Sequence, residues 1–231
     1  MDGTQIVTSR AGYERIAADA AATARVPIEL QIHVEDPFEA FRAVADAHDA
    51  VLLETTGGHR GWSYIGLNPE RRIEVRAPME GVTAEGSPTL AELQAAVDAE
   101  ELIRGECAVP YPCGIIGWLS YEISRELEPT IPSGAPETLP RAQLAVFPTM
   151  LAWEEPASTP VRLHLTGCPR VGADPVTTYE RTVDELEAIA RAIAAGAAPQ
   201  DPVDTTAQVS FESMTGGERF ARRVRAIKAA I

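Results

Sequence analysis

Apolar and polar residues alternate between positions 26 and 34, where the character of the side chain changes at nearly every residue. A period of two places successive side chains on opposite faces of a β-strand. One face of this predicted strand should therefore pack on a core, and the other should meet water. The expected inward set is Ile28, Leu30, Ile32 and Val34, and the expected outward set is Glu29, Gln31 and His33.

A helix is predicted directly after this strand, because Asp36 suits a helix N-cap and Pro37 suits the first helical position. Its expected buried stripe is Phe38, Phe41, Val44 and Ala45. Similar signals predict helices at residues 10–24, from Ser87-Pro88 onward with Leu90, Leu93 and Val97 buried, and from a Thr177/Glu180 capping box to Gly196.

Short apolar or alternating runs predict the strands, which are placed at residues 50–54, 62–66, 71–76, 143–154 and 161–165. Most of these runs are paired through short turns, so antiparallel pairing is expected. A proline-rich segment at residues 130–141 predicts a long surface loop. Hairpin-linked strands, with helices between and after them, predict an α+β fold with a largely antiparallel β-sheet and packed helices.

The stretch from Pro110 to Glu122 combines glycine, aromatic and hydroxyl residues in a run that is apolar enough to be buried. Gly114 and Gly117 indicate close approach of another backbone or a ring, since glycine otherwise weakens a strand. Considered alone, the stretch predicts a core strand with a bulge. Its order of glycine, two apolar residues, glycine, aromatic, apolar, serine, tyrosine and acid also resembles a signature of chorismate-utilising enzymes. That family includes the large subunits of anthranilate synthase and aminodeoxychorismate synthase.

The resemblance extends over nearly the whole chain. The matching segments are Val26-Pro27, Leu52 to Thr55, Trp62 to Pro69, Leu139-Pro140 and Met214 to Ile231. It implies an amino-terminal domain of the anthranilate synthase component I type at residues 1–196 and a linker at residues 197–212. The helix at residues 213–231 would then open a chorismate-binding domain that is truncated here. The apolar stripe of that helix is Phe220, Val224, Ile227 and Ile231.

In this family, tryptophan binds at a leucine-leucine-acid-serine turn and at the segment just before the aromatic strand, as a feedback inhibitor or a structural ligand. The chain departs from the pattern twice: Thr55 replaces serine and adds a methyl group, and Gly61 stands where an arginine is usual. The glycines between them predict a hairpin rather than a phosphate loop, because a strand and not a helix follows. By position, the resemblance implies a tryptophan-type pocket lined by Glu54, Thr55, His59, Arg60, Gly61 and Trp62.

The resemblance also implies what the chain lacks. The family's chemistry uses Mg²⁺ held by glutamates, with a lysine and a histidine supplied by the second domain. No lysine–histidine–glutamate group is recognisable here, where Lys228 is the only lysine and His164 is expected at the surface. No catalytic residue, metal ligand or cofactor is therefore expected in this part. A glutamine amidotransferase subunit, component II, is the partner that the family implies.

Two parent enzymes share this resemblance. The compact turn from Thr55 to Trp62 and the departures from the tryptophan motif favour aminodeoxychorismate synthase, which serves folate biosynthesis. The alternative is anthranilate synthase component I, which serves tryptophan biosynthesis. Two other functions stay open: a stand-alone module that senses an aromatic amino acid, and a purely structural subunit.

The composition of the chain indicates which classes of partner and which cellular compartment to expect. The 34 acidic residues outnumber the 20 basic ones, and a net charge of -14 disfavours nucleic acid as a partner. No apolar run approaches the roughly 18 residues of a membrane span, and no signal peptide is recognisable, so a cytoplasmic location is expected. Three cysteines without a CxxC pair predict reduced thiols rather than a disulfide framework or a zinc site. The acidic excess gives the hypothesis of a halophilic source, which a melting temperature insensitive to molar KCl would exclude.

Overall fold

The computed structural model describes residues 4–76, 87–128, 130–131, 138–197, 210, 212 and 214–230. The chain divides into two compact units, Met1–Ala198 and Pro199–Ile231. Within the described residues, the first unit holds two antiparallel sheets together with helices α1 to α5. The predicted α+β class is confirmed.

The strands are β1 (Gln5–Ile6), β2 (Ile28–Val34), β3 (Val51–Leu53), β4 (Gly61–Leu67), β5 (Arg71–Val75), β6 (Gly114–Leu119), β7 (Ala142–Phe147), β8 (Thr149–Glu155) and β9 (Val161–Gly167). The helices of the first unit are α1 (Arg10–Ala18), α2 (Pro37–His48), α3 (Pro88–Asp98), a 3-10 turn at Tyr121–Ile123, α4 (Ser124–Leu127) and α5 (Pro175–Ala195). The second unit contains α6 (Gly217–Ala230).

The larger sheet has six strands in the order β1-β2-β9-β8-β4-β3, and one of its faces forms the main core. Helices α1, α2 and α5 pack together, and α2 and α5 also contact the sheet. The alternation predicted for residues 26–34 is confirmed on this face, where Ile28 and Leu30 are fully buried. Leu163 on β9 and Trp153 on β8 complete the same apolar layer.

The opposite face of this sheet is covered as well, which the sequence analysis did not foresee. Glu29 is 1% exposed and His164 is 7% exposed, although both were expected at the surface. The cover is the segment that precedes β6: the Thr166 hydroxyl donates to the Pro112 carbonyl at 2.6 Å. His33, farther along β2, is exposed as predicted. The alternation therefore predicted correctly which residues share a face of the strand. It predicted wrongly that the second face meets water, because alternation carries no information about a loop that covers the sheet.

The smaller sheet has the order β5-β7-β6, so the glycine-rich stretch forms an outer strand and not a core strand. Trp118 and Leu119 on β6 are 40% and 47% exposed. The close approach predicted at Gly117 is confirmed, since a Cβ there would lie 2.1 Å from the Gln143 carbonyl oxygen. It is wrong at Gly114, where a Cβ would meet no described atom within 4 Å.

Two of the predicted helices begin where expected but bury only part of their predicted stripes. The Asp36 side chain caps α2 by accepting from the Phe38 N–H at 2.8 Å, yet Phe38 itself is 49% exposed. On α3, Leu90 and Val97 are exposed, while Ala96 is buried. Val44 on α2 is fully buried and Phe41 packs against the core, so the stripe predicted for α2 is confirmed in part.

Helix α5 begins earlier than the predicted capping box. Asp174 is its N-cap, and Asp174 Oδ1 accepts from the backbone N–H groups of Val176 and Thr177. Pro175 occupies the first turn. The predicted end is confirmed, because Gly196 follows the last helical residue with a φ of +79°. The Asp-Pro pair is thus a stronger start signal here than the Thr/Glu spacing.

In the second unit, helix α6 makes up most of the described residues. Phe220 and Ile227 are 63% and 61% exposed, and Ile231 lies outside the described residues. Most of the predicted linker at residues 197–212 and half of the predicted loop at residues 130–141 also lie outside them. The domain boundaries and the start of a further domain at residue 213 stay predictions. Every helix in the described part of the chain is too short or too polar to cross a bilayer.

A buried arginine joins four separate segments of the first unit. Arg25 precedes β2 and is 2% exposed. Its guanidinium pairs with Glu100 and with Glu70, each at 2.6 Å, and donates to the Cys168 carbonyl at 2.9 Å. Arg170 adds a second cation to Glu100 at 3.1 Å. The start of β2 is therefore tied to the ends of α3 and β9 and to the β4–β5 connection.

A second group of polar side chains holds α3 and α4 against the smaller sheet. The Glu126 carboxylate accepts from the Ser87 hydroxyl, from the Thr89 hydroxyl and backbone N–H, and from Arg141. Burial acts to raise the pKa of Glu126, but these hydrogen bonds outweigh it and lower the pKa to about 2 from its usual 4.5. The side chain of Glu126 is only 4% exposed, so solvent screens these contacts little.

The depressed pKa of Glu126 predicts a pH dependence of stability. A carboxylate with a lowered folded-state pKa contributes fully above about pH 5, and the contribution is lost as the pH falls towards 2. At neutral pH we expect Glu126→Gln to lower the free energy of unfolding by about 2 to 3 kcal/mol. Urea unfolding at several pH values should show the variant and the wild type converging near pH 2.

The matched control is Glu106→Gln, at an exposed glutamate. It should track the wild type across the whole range. A Glu126→Gln variant whose deficit is the same at pH 2.5 and at pH 7 would contradict the assignment.

Candidate functional site

The six residues of the predicted pocket all lie on the β3–β4 hairpin. Antiparallel pairing brings Leu53 opposite Tyr64, so the chain from residue 54 to residue 60 forms the connection. Within it, Glu54, His59 and Arg60 are exposed. The other three, Thr55, Gly61 and Trp62, are half-buried.

Thr55 closes the hairpin through its hydroxyl. Thr55 Oγ1 donates to the Trp62 carbonyl at 2.9 Å, and the Thr55 N–H donates to Ser63 Oγ at 2.9 Å. The hydroxyl proton that a ligand would need is thus used within the hairpin. Thr55 can accept from a ligand as it stands, but it can donate to one only by giving up this bond.

A glutamate behind the hairpin completes a network that the sequence analysis missed. Glu155 Oε1 accepts from the Trp153 indole N–H at 2.6 Å and from the Ser63 hydroxyl at 3.3 Å. Ser63 is fully buried and Trp153 is 2% exposed. The available signal was a serine inside an otherwise apolar strand, since a buried hydroxyl requires a partner.

The two departures from the family pattern lie against each other. A Cβ built on Gly61 would lie 3.2 Å from the methyl carbon of Thr55 and 3.3 Å from its hydroxyl oxygen. The methyl group that distinguishes threonine from serine therefore occupies the space that a larger residue at position 61 would need. Thr55 and Gly61 act as a matched pair in the packing of this hairpin.

Trp62 also forms part of a cavity on the covered face of the larger sheet. Its ring lies 5.4 Å from the His164 imidazole, edge to face. The cavity has a volume of about 410 Å³. It is lined by Gln31, His33, Trp62, Ala108, Glu154, Pro156, Ala157, Ser158, Pro160, Val161, Arg162 and His164. Of the six predicted pocket residues, only Trp62 lines it.

A buried carboxylate orients the histidine of this cavity. Glu29 Oε1 lies 2.8 Å from His164 Nδ1 and accepts from the Gln31 amide at 2.8 Å. Burial acts to raise the pKa of Glu29, yet the hydrogen bonds from His164 and Gln31 lower it overall. Because Nδ1 faces the carboxylate, Nε2 of the same ring is left as the nitrogen available to another group.

The arrangement favours binding over catalysis. The cavity offers an aromatic ring in Trp62, a fixed imidazole in His164, and charges of opposite sign in Glu154 and Arg162. Among the described residues, no three His, Cys, Asp or Glu side chains are grouped so that they could hold a metal ion.

Comparison with known proteins gives a consistent result over nearly the whole chain. No protein-family model matches it. It is 42% identical over 223 residues to anthranilate synthase component 1 3 of Haloarcula marismortui, and 41% identical over 228 residues to component 1 1 of the same organism. It is 23% identical over 246 residues to anthranilate synthase component 1 of Acinetobacter calcoaceticus.

Each of these matches covers 96% of this chain but 44%, 45% and 47% of the respective relative. The chain thus spans slightly less than half the length of the curated relatives it matches. The predicted resemblance to the chorismate-utilising enzymes is confirmed. The preference for aminodeoxychorismate synthase gains no specific support, because all three relatives carry the name of the alternative.

The contact between Thr55 and Gly61 predicts a coupling between them. Gly61→Ala should be better tolerated in a Thr55→Ser background, where the methyl group at 3.2 Å is absent. We expect a coupling free energy of about 0.5 to 1 kcal/mol from a double-mutant cycle in urea. Gly114→Ala, where a Cβ meets open space, is the matched control and should not couple to Thr55→Ser. A Gly61–Thr55 coupling no larger than that of the control would show that the two departures are independent.

Proposed function

We propose that this chain is the regulatory and structural, non-catalytic part of an anthranilate synthase component 1. The observation that carries the proposal is 42% identity to such a protein over 223 residues, which is 96% of this chain. Identity at this level across both sheets and α5 supports a shared role as well as a shared fold. The catalytic step of the parent enzyme, the conversion of chorismate to anthranilate, is assigned to sequence outside this chain.

The cofactor and the partner follow from the same proposal. Mg²⁺ belongs to the catalytic part of the parent enzyme, and no described residue of this chain takes part in holding it. The glutamine amidotransferase subunit, component II, is the proposed partner, and the cytoplasm is the proposed location. Component II of anthranilate synthase should therefore co-elute with this chain in size-exclusion chromatography.

The ligand proposed for the β3–β4 hairpin is an aromatic amino acid, tryptophan in the first instance. Glu54 is the only acidic residue among the six predicted residues, and its exposed carboxylate forms no ion pair with any described residue. A carboxylate that is free at the end of a rigid hairpin suits the ammonium group of an amino acid. Thr55 and Trp62 are hydrogen-bonded to each other, which fixes their relative positions in the proposed site.

The test is calorimetric titration of the purified chain with L-tryptophan, beside L-phenylalanine. Replacement of the Glu54 carboxylate by an amide removes the charge that should hold the ammonium group. We expect Glu54→Gln to weaken tryptophan binding by about tenfold or more, which corresponds to about 1.4 kcal/mol. Glu92→Gln, at an exposed glutamate on α3, is the control and should bind as the wild type does.

Each outcome separates the open functions. Binding that Glu54→Gln abolishes supports the regulatory site. Binding that Glu54→Gln leaves unchanged contradicts the hairpin as the site. If no tryptophan binds at millimolar concentration while component II still co-elutes with the chain, a structural subunit of the same enzyme is favoured. Tryptophan binding without any association with component II favours a stand-alone sensor.

A further inference from the structure

The three cysteines of the chain converge at the seam between the two sheets. Cys113 immediately precedes β6 of the smaller sheet, and Cys168 immediately follows β9 of the larger one. Cys107 lies in the same covering segment as Cys113, close to the Glu29 carboxylate. Cys113 and Cys107 are partly exposed, and Cys168 is 1% exposed. The spacing in the sequence gives no sign of this convergence.

The backbone contacts hold Cys113 and Cys168 in a fixed relation. Cys168 Sγ donates to the carbonyl oxygen of Pro112, the residue before Cys113, at 3.4 Å. Thr166 Oγ1 donates to the same carbonyl at 2.6 Å. Thr166, near the end of β9, and Cys168, just after it, thus hold the peptide that carries Cys113. The Cys168 backbone is held in turn by Arg25 at its carbonyl and by the Pro148 carbonyl at its N–H.

Cys113 and Cys168 differ in the pKa of their thiols, as the two cysteines of a redox pair do. The neighbouring Cys168 thiol lowers the pKa of Cys113 against the opposing effect of burial, and the nearby Arg25 cation lowers it further. Burial raises the pKa of Cys168 well above its usual value. Cys113 is therefore the thiol that reacts, because the thiolate is the nucleophile and Cys113 also has the better access to solvent.

We propose that Cys113 and Cys168 form a reversible disulfide when the protein meets a peroxide. The Cys113 thiolate attacks one oxygen of the peroxide, the O–O bond breaks, hydroxide leaves, and Cys113 becomes a sulfenic acid. The Cys168 sulfur then attacks the Cys113 sulfur, the S–S bond forms and the S–O bond breaks. The departing hydroxide takes the Cys168 proton and leaves as water. Two thiols lose two electrons in total, and one hydrogen peroxide becomes two waters.

Such a bond would connect the two sheets covalently at the start of β6. A dithiol such as dithiothreitol would reverse it by exchange. Cys107 serves as the internal comparison, because burial raises the pKa of its thiol to about 12 and keeps it protonated at neutral pH. The inference rests on the seam alone and holds whether or not the chain belongs to an anthranilate synthase.

The test is oxidation of the purified chain with stoichiometric hydrogen peroxide, followed by thiol counting, intact mass and peptide mapping. We expect the loss of two of the three thiols, a mass lower by about two hydrogens, and a cross-linked peptide pair that contains Cys113 and Cys168. Dithiothreitol should restore all three thiols. Cys107→Ser should behave as the wild type does, while Cys113→Ser and Cys168→Ser should form no such pair.

Alkylation with iodoacetamide at neutral pH supplies a second measurement. In the wild type, Cys113 should react about tenfold faster than Cys107, and Cys168→Ala should slow the alkylation of Cys113, since the neighbouring donor is removed. A map that joins Cys107 to either partner, oxidation of Cys113 to the sulfinic acid without a cross-link, or three thiols left intact would each overturn the proposal. The peptide map of the oxidised wild type tests the proposal even if a serine variant does not fold.

Discussion

The ion-paired Arg25 is the interaction on which the rest of the first unit depends. Its guanidinium is almost fully excluded from water, yet it forms two ion pairs at 2.6 Å and one hydrogen bond to a carbonyl. A buried charge is tolerated only when its partners replace the lost hydration, and removal of one side leaves the others unpaired. The backbone of Arg25 takes part too, because its N–H donates to the Glu101 carbonyl and its carbonyl accepts from Ile103. One residue thereby fixes where the chain enters β2 and where α3 and β9 end.

The covering segment and the thiol pair lie close to Arg25. The Cys168 carbonyl that Arg25 holds belongs to the segment that clamps Pro112, and Pro112 positions the covering segment over Glu29 and His164. That segment also brings Tyr111 against Tyr64 of β4, with ring centroids 6.0 Å apart. The thiol pair therefore lies beside the Arg25 ion pairs, whereas the β3–β4 hairpin lies at the other end of β4, where Gly61 pairs with Glu155. A change at Arg25 should affect the thiol pair and the covering segment more than the hairpin.

Local signals in the sequence were sufficient for the elements that need no distant partner. The alternation of residues 26–34 predicted β2, and the Asp36-Pro37 and Ser87-Pro88 pairs predicted the starts of α2 and α3. Burial was predicted less well, because it depends on what covers a surface. Glu29 and His164 were expected in water and lie under a loop, while Trp118 was expected in the core and lies on an outer strand. The thiol pair and the Ser63–Glu155 contact join residues far apart in the chain, so no local pattern could reveal them.

The most direct test of this account is the free energy of unfolding of Arg25→Met, measured in urea at neutral pH. Methionine keeps much of the length and apolar contact of the arginine stem but leaves Glu70 and Glu100 without their buried partner. The account predicts a loss of about 3 to 5 kcal/mol, as is usual when one side of a buried ion pair is removed. Arg181→Met, at an exposed arginine 3.9 Å from Glu185, should cost less than about 1 kcal/mol. An Arg25→Met variant as stable as Arg181→Met would contradict the central role given to this arginine.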